Sequence, residues 1–139
     1  MENTQQNCLF CKIVRGEIPA EKIYEDADTL AFLDIKPINK GHTLVIPKAH
    51  YQDTLEVPEE LFMKMMATVK KIGHAFKDGL GITNFNIGMN NGAAAGQVVF
   101  HAHIHVMSRR EGDGFELWKG SDYASGEMQK IGSQLKNAL

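Results

Sequence analysis

The run Val98-Val99-Phe100-His101-Ala102-His103-Ile104-His105-Val106-Met107 leaves few structural options. Its strict alternation fits an extended strand, on which successive side chains point to opposite faces. Ala102, Ile104 and Val106 then form a core face, and His101, His103 and His105 share the other. Three aligned imidazoles are expensive to bury and have no packing rationale, so this face is expected to carry chemistry. On a strand, residues four apart lie about 13 Å from each other. His101 and His103 could share a metal ion, but His101 and His105 could not, because zinc holds its nitrogens at about 2 Å. At least one of the three is therefore available as a nucleophile or as a general acid or base.

The rest of the chain supplies a frame for such a strand. Leu9, Phe10 and Ile13 have helical spacing within Cys8 to Val14, before Arg15-Gly16. Lys22 to Glu25 and Thr29 to Leu33 read as strands around Asp26-Ala27-Asp28. Thr43 to Ile46 is expected to be a buried strand closed by Pro47. Pro58-Glu59-Glu60 opens a long helix with Leu61, Met65, Val69, Ile72 and Phe76 on one stripe, ended by Asp78 to Gly81. Phe62 and Met66 widen that stripe beyond one core contact and predict a homodimer. Thr83 to Met89 reads as a strand, Val98 to Met107 as the histidine strand, and Met128 to Leu139 as an amphipathic tail helix. Clustered strands around one central helix predict an α+β fold with a largely antiparallel sheet. The 139 residues fit a single domain spanning 1–139.

Between the last two strands, Gly92 to Gly96 carries no bulky side chain, and Asn90 and Gln97 flank it with amides. Its backbone N–H groups are expected to cradle an anion. Asp34, at the end of an apolar strand, is a candidate acceptor for ribose hydroxyls. Cys8 and Cys11 form a C-x-x-C pair suited to metal binding or redox chemistry. A formal charge of −2 argues against a general nucleic-acid or membrane-surface binder. No apolar run approaches the roughly 20 residues of a membrane span. Met1 to Asn7 lacks the pattern of a signal peptide, and the expected location is cytoplasmic.

Taken together, these residues resemble the histidine-triad (HIT) superfamily. Gly96-Gln97 followed by the alternating histidines is similar to its signature. Cys8 to Ile13, Gly16 to Ala20, Ala31 to Pro37 and Gly41 to His50 are similar to its Hint-like branch in the bacterial form. The resemblance implies a HIT-like fold and His103 as a nucleophile that becomes nucleotidylated. It implies that His105 and Gln97 contact the phosphate, with Asn90 beside it and His42 near His105. Asp34 would hold the ribose, and Phe10, Ile13, Phe32 and Ile35 would line a purine pocket. It further implies structural zinc on Cys8, Cys11, His50 and His101, no catalytic metal, and homodimers with joined sheets. The substrates implied are purine nucleoside 5'-phosphoramidates and related adenylates. The rival readings are a dinucleoside polyphosphate hydrolase and a nucleotide-binding scaffold with incidental hydrolysis. Val98 stands where many eukaryotic members have Ser, which leaves open how a leaving amine gains its proton. The segment around Trp118 matches poorly, and no function is carried over to it.

Overall fold

A computed structural model describes residues 5–139; Met1 to Thr4, part of the polar N-terminal stretch, lie outside it. Helix α1 (Leu9–Val14) is followed by β1 (Lys22–Glu25), β2 (Thr29–Leu33) and β3 (Thr43–Pro47). Then come α2 (Glu59–Ala75), β4 (Asn84–Gly88), β5 (Ile104–Arg109) and α3 (Glu127–Ala138). Among the described residues the five strands form one antiparallel sheet in the order β1-β2-β3-β5-β4. The α+β reading is correct. No helix among the described residues is long and apolar enough to cross a membrane.

Helices cover both faces of the sheet at its centre, which is why β2 and β3 are buried almost throughout. On one face Met65, Val69, Ile72 and Phe76 of the long helix pack on Ala31, Val45, Ile104 and Val106. Thr29 and Thr68 are buried between these layers and satisfy each other with a 2.8 Å hydrogen bond. On the opposite face Phe10 and Ile13 of α1 pack on Leu30, Phe32, Leu44 and Ile46. Leu44 lies opposite His105 in the β3–β5 register, so His105 belongs to the α1 face and Ile104 and Val106 to the α2 face. The alternation read from the sequence thus holds in β5.

The strand itself is shorter than expected. It starts at Ile104, and residues 98–103 run without a ladder partner. The cause is local. The β3–β5 pairing stops at Val45 and Ile104. Beyond it Pro47 has no N–H to offer, and its carbonyl accepts from the His101 ring at 2.8 Å. Ala102 N–H donates to Tyr51 C=O, and His101 C=O accepts from the His103 ring. Side chains and a loop have taken the groups a ladder would need. The long helix also ends differently: after Ala75 a single π-turn, Phe76–Leu80, closes on Gly81 with φ 68°. Every residue of α3 except Gly132 is exposed.

Candidate active site and metal centre

Cys8 caps the N-terminus of α1 and Cys11 lies one turn on, so the short helix aims both sulfurs at one point. His50 follows β3, and His101 precedes β5. Cys11 Sγ lies 3.4 Å from His50 Nδ1 and 3.5 Å from His101 Nδ1, and Cys8 Sγ is 3.5 Å from the same His101 nitrogen. In a zinc tetrahedron with bonds of about 2.3 Å to sulfur and 2.0–2.1 Å to nitrogen, the S···N edge is about 3.6 Å. All four donor atoms lie within 4.8 Å of one another. His101 Nε2–H donates to Pro47 C=O, which fixes the tautomer and turns the Nδ1 lone pair toward the sulfurs. Cys8 Sγ accepts from Cys11 N–H, and Cys11 Sγ from Gln5 N–H, both at 3.4 Å. Burial pushes the Cys11 thiol up and the His101 imidazole down to about 4. The donor set fits a closed Cys₂His₂ shell with no position left for water.

His103 sits beside this centre. Its Nδ1 is 2.7 Å from the carbonyl of His101, which can only accept, so Nδ1 carries the proton and Nε2 the lone pair. Phe10 packs edge-on against the ring at 5.1 Å and the His105 ring stands 5.0 Å away. Burial lowers the His103 pKa, opposed by the His101 carbonyl and by Asp34, which favours a neutral ring. His105 Nδ1 is 2.9 Å from His42 Nε2, and Asp34 Oδ2 is 3.7 Å from that same His42 nitrogen. Asp34 Oδ1 accepts from Lys36 N–H at 2.8 Å, which fixes the carboxylate at the end of β2.

Asp34, His103 and His105 border a cleft of about 440 Å³ between α1 and the sheet. Phe10, Ile13, Phe32 and Ile35 all line it, as do Asp34, Asn90, His103 and His105. Leu44, Val99 and Lys36 line it too, and the sequence reading did not name them. Leu44 was recoverable from the alternation of β3; the other two depend on loop paths with no local signature. A second cavity of about 550 Å³ lies on the other side of His42, His105 and Asn90. Ile87, Met107, Phe115, Leu117 and Trp118 form its walls, so the segment left without a role borders the histidine cluster. Asp113 anchors that segment through a two-bond fork with Arg109 at 2.7 and 3.0 Å, and Arg109 also donates to Phe115 C=O.

Two expectations about the small-residue turn need correction. Three of the five amides of Gly92 to Gly96 are already taken. Gly92 N–H donates to Gln97 Oε1, Ala95 and Gln97 N–H donate to Gly92 C=O, and Gly96 N–H donates to Ala93 C=O. The turn is closed on itself, with Gly92 and Gly96 at φ 89° and 91°. Gln97 is likewise turned away from the cleft: its amide donates to Gln52 and Val99 carbonyls at 2.7 and 3.1 Å. The structure therefore brings together His42, Asp34, Asn90, His103 and His105, but not Gln97.

Residues 15–112 match the HIT domain. The chain belongs to the HIT family. Among its HIT relatives is Adenylylsulfatase HINT3 of Arabidopsis thaliana, 44% identical over 97% of this chain and 68% of that protein. Adenosine 5'-monophosphoramidase hnt1 of Schizosaccharomyces pombe is 38% identical over 96% of this chain and 98% of its own length. The crystal structure of a HIT family protein from Bacillus anthracis superposes with a TM-score of 0.87 at 44% identity, covering 98% and 99% of the two chains. A Zn-bound histidine triad family protein from Mycobacterium smegmatis gives 0.76 at 41% identity, covering 96% and 98%.

Proposed function

We propose that this HIT protein is a nucleotide hydrolase that attacks the α-phosphorus of purine nucleoside 5'-phosphoramidates or related adenylates. The observation that carries the reading is the bond from His103 Nδ1–H to the His101 carbonyl. It leaves Nε2 as a lone pair on a ring that lines a cleft large enough for a nucleoside. In the first step Nε2 bonds to phosphorus, the bond from phosphorus to the leaving group breaks, and a leaving amine takes up a proton from solvent. In the second, water bonds to phosphorus and returns a proton to solvent, the P–N bond to His103 breaks, and nucleoside monophosphate leaves. Dividing the displacement in two is the gain of covalent catalysis.

The base packs among Phe10, Ile13, Phe32 and Ile35, and Asp34 accepts from the ribose. His105 and Asn90 face the phosphate, while Gln97 holds the turn that carries Asn90. Zinc on Cys8, Cys11, His50 and His101 stabilises the fold around α1 and takes no part in the reaction. We also assign the protein a homodimeric state, joined through the wide apolar surface of α2, and a cytoplasmic location. The names of HINT3 and hnt1 support a nucleotide substrate. The second cavity beside His105 favours one further reading, a bulky leaving group such as the second half of a dinucleoside polyphosphate.

Turnover of adenosine 5'-phosphoramidate and of diadenosine tetraphosphate by the wild type and by His103→Ala tests the assignment. The variant should lose more than the roughly 10²–10⁴-fold typical of deleting a general acid or base. It should still bind nucleoside monophosphate. Wild-type protein quenched during turnover should carry a nucleoside monophosphate adduct on His103. An active His103→Ala, or an adduct elsewhere, overturns the proposal.

A further inference from the structure

Cys8 and Cys11 occupy the N-cap and the first turn of α1, and Cys8 Sγ accepts from the Cys11 N–H at 3.4 Å. Residues three apart on a helix have Cα atoms about 5 Å from each other, inside the roughly 4.4–6.8 Å span of a disulfide. The two sulfurs suited to zinc are therefore also placed to bond to each other once their side chains turn. Access to them is unequal. Cys11 is fully buried and Cys8 only half-buried, so an oxidant meets Cys8 first and Cys11 is the neighbour that closes on it.

We propose that Cys8 and Cys11 are a peroxide-sensitive dithiol whose closure to a disulfide releases zinc, loosens α1 and weakens nucleotide binding, while the nucleophile stays in place. The proposal rests on the zinc and α-phosphate readings above and extends them. The Cys8 thiolate attacks one oxygen of the peroxide, giving a sulfenic acid and hydroxide. The Cys11 thiolate then attacks the Cys8 sulfur, the S–S bond forms and a second hydroxide leaves. Both hydroxides take up protons and become water, and the two electrons lost by the sulfurs reduce the peroxide. His50 and His101 alone do not make a four-coordinate shell, so the metal departs.

The two sides of the centre are anchored differently, and this directs the effect. His101 is tied to the fold without metal, through its Nε2–H to Pro47 C=O and through the neighbouring Ala102 N–H to Tyr51 C=O. Helix α1 is not. Among the described residues, every hydrogen bond that joins residues 5–18 to the rest of the chain runs between a Cys8 or Cys11 sulfur and His50 or His101. A helix of six residues does not hold its own shape in water, and without the metal α1 keeps only the packing of Phe10 and Ile13. Phe10 stands edge-on to Phe32, His101 and His103 at 5.5, 5.9 and 5.1 Å. With Leu9 and Ile13 it forms one wall of the cleft, so a loosened α1 is a loosened wall.

The experiment treats full-length, zinc-loaded protein with hydrogen peroxide beside a zinc indicator. Zinc release should keep pace with loss of two hydrogens from the intact mass and with a peptide cross-linked from Cys8 to Cys11. A dithiol reductant with added zinc should reverse all three. If α1 is docked about a tenth of the time after oxidation, the dissociation constant of adenosine monophosphate rises about tenfold. KM for adenosine 5'-phosphoramidate should rise with it while kcat stays within about threefold. Amide exchange should quicken over Leu9 to Val14 and stay unchanged over Ile104 to Arg109. Cys8→Ser should bind the nucleotide weakly from the start and lose nothing more to peroxide. Zinc release without the Cys8–Cys11 bond, a disulfide between chains, or an oxidised protein with unchanged affinity overturns the proposal. So does a Cys8→Ser variant as peroxide-sensitive as wild type; if that variant fails to fold, the wild-type affinity before and after reduction decides. Failure of the α-phosphate reading would appear as absent turnover by the reduced protein, with zinc release, the disulfide and the exchange over α1 still following peroxide.

Discussion

Acidification should weaken the fold in a window set by His105. In the unfolded chain an imidazole titrates near 6.5, and in the folded protein burial brings His105 down to about 4. Between those values the unfolded chain binds the proton and the folded one does not, so stability rises with pH across the window. The contribution is complete above about pH 6.5 and gone once the pH has fallen to about 4. Moving one group over that range is worth about 3 kcal/mol, at about 1.36 kcal/mol per pH unit. With a urea m-value of about 2 kcal/mol/M, the unfolding midpoint should fall by about 1.5 M. Metal release and the other buried histidines titrate in the same region, so the quantity to read is a difference. Urea unfolding of wild type and His105→Gln, at equal zinc and at half-unit steps from pH 4 to 7.5, provides it. Loss of the His42 bond offsets the variant by a constant amount, and the slope of the difference reports His105. A flat difference would refute the claim that burial holds this ring neutral.

Wild-type protein should hold about one zinc per chain by metal analysis, and Cys11→Ser should hold far less. At metal 100-fold above its dissociation constant, binding adds about 2.7 kcal/mol, or about 10 °C in melting temperature for a chain of this length, and a chelator should remove that margin from wild type alone. Arg109 holds the Asp113 carboxyl well below the usual carboxylate range, so its stabilisation is complete above about pH 4 and is lost on further acidification. Asp113→Asn should flatten that acid limb and speed amide exchange at Phe115 to Trp118. Sedimentation at micromolar concentration should give a homodimer, and a stable monomer there would remove the role assigned to α2.

Much of this fold was readable where local and tertiary demands agree. The bounds of β1 and β2 follow from turn chemistry at Asp26 to Asp28, where Asp26 Oδ1 accepts from both Asp28 and Thr29 N–H. The stripe from Met65 to Phe76 reads directly as the buried side of α2. Residues 98–103 misled because alternation reports which side a residue faces, not whether a neighbouring strand is present. Only the position of Pro47 on β3 decides that. The Gly92 to Gly96 turn misled for a related reason. Small residues permit an anion to approach, but the side-chain oxygen of the adjoining Gln97 claims the Gly92 N–H, and carbonyls of the turn itself claim those of Ala95 and Gly96. The cleft residues Phe10, Ile13 and Phe32 were placed by resemblance, Asp34 by its position at the end of an apolar strand, and the face they share became legible only through the β2–β3–β5 register. Trp118 was not legible at all, since its place depends on the Arg109–Asp113 fork.

The proton positions of His101 and His103 trace back to two main-chain atoms: the Pro47 oxygen and the His101 oxygen. Substitution does not delete main-chain atoms. The side chains that shape the cleft can therefore drift, exchanging one base or leaving group for another, while each ring keeps its assigned tautomer as long as the local backbone path is kept. Such a site separates the part that can diversify from the part that cannot. Pro47 shows the division most plainly, because another residue at that position would supply the same carbonyl and add an N–H that β3 has so far done without.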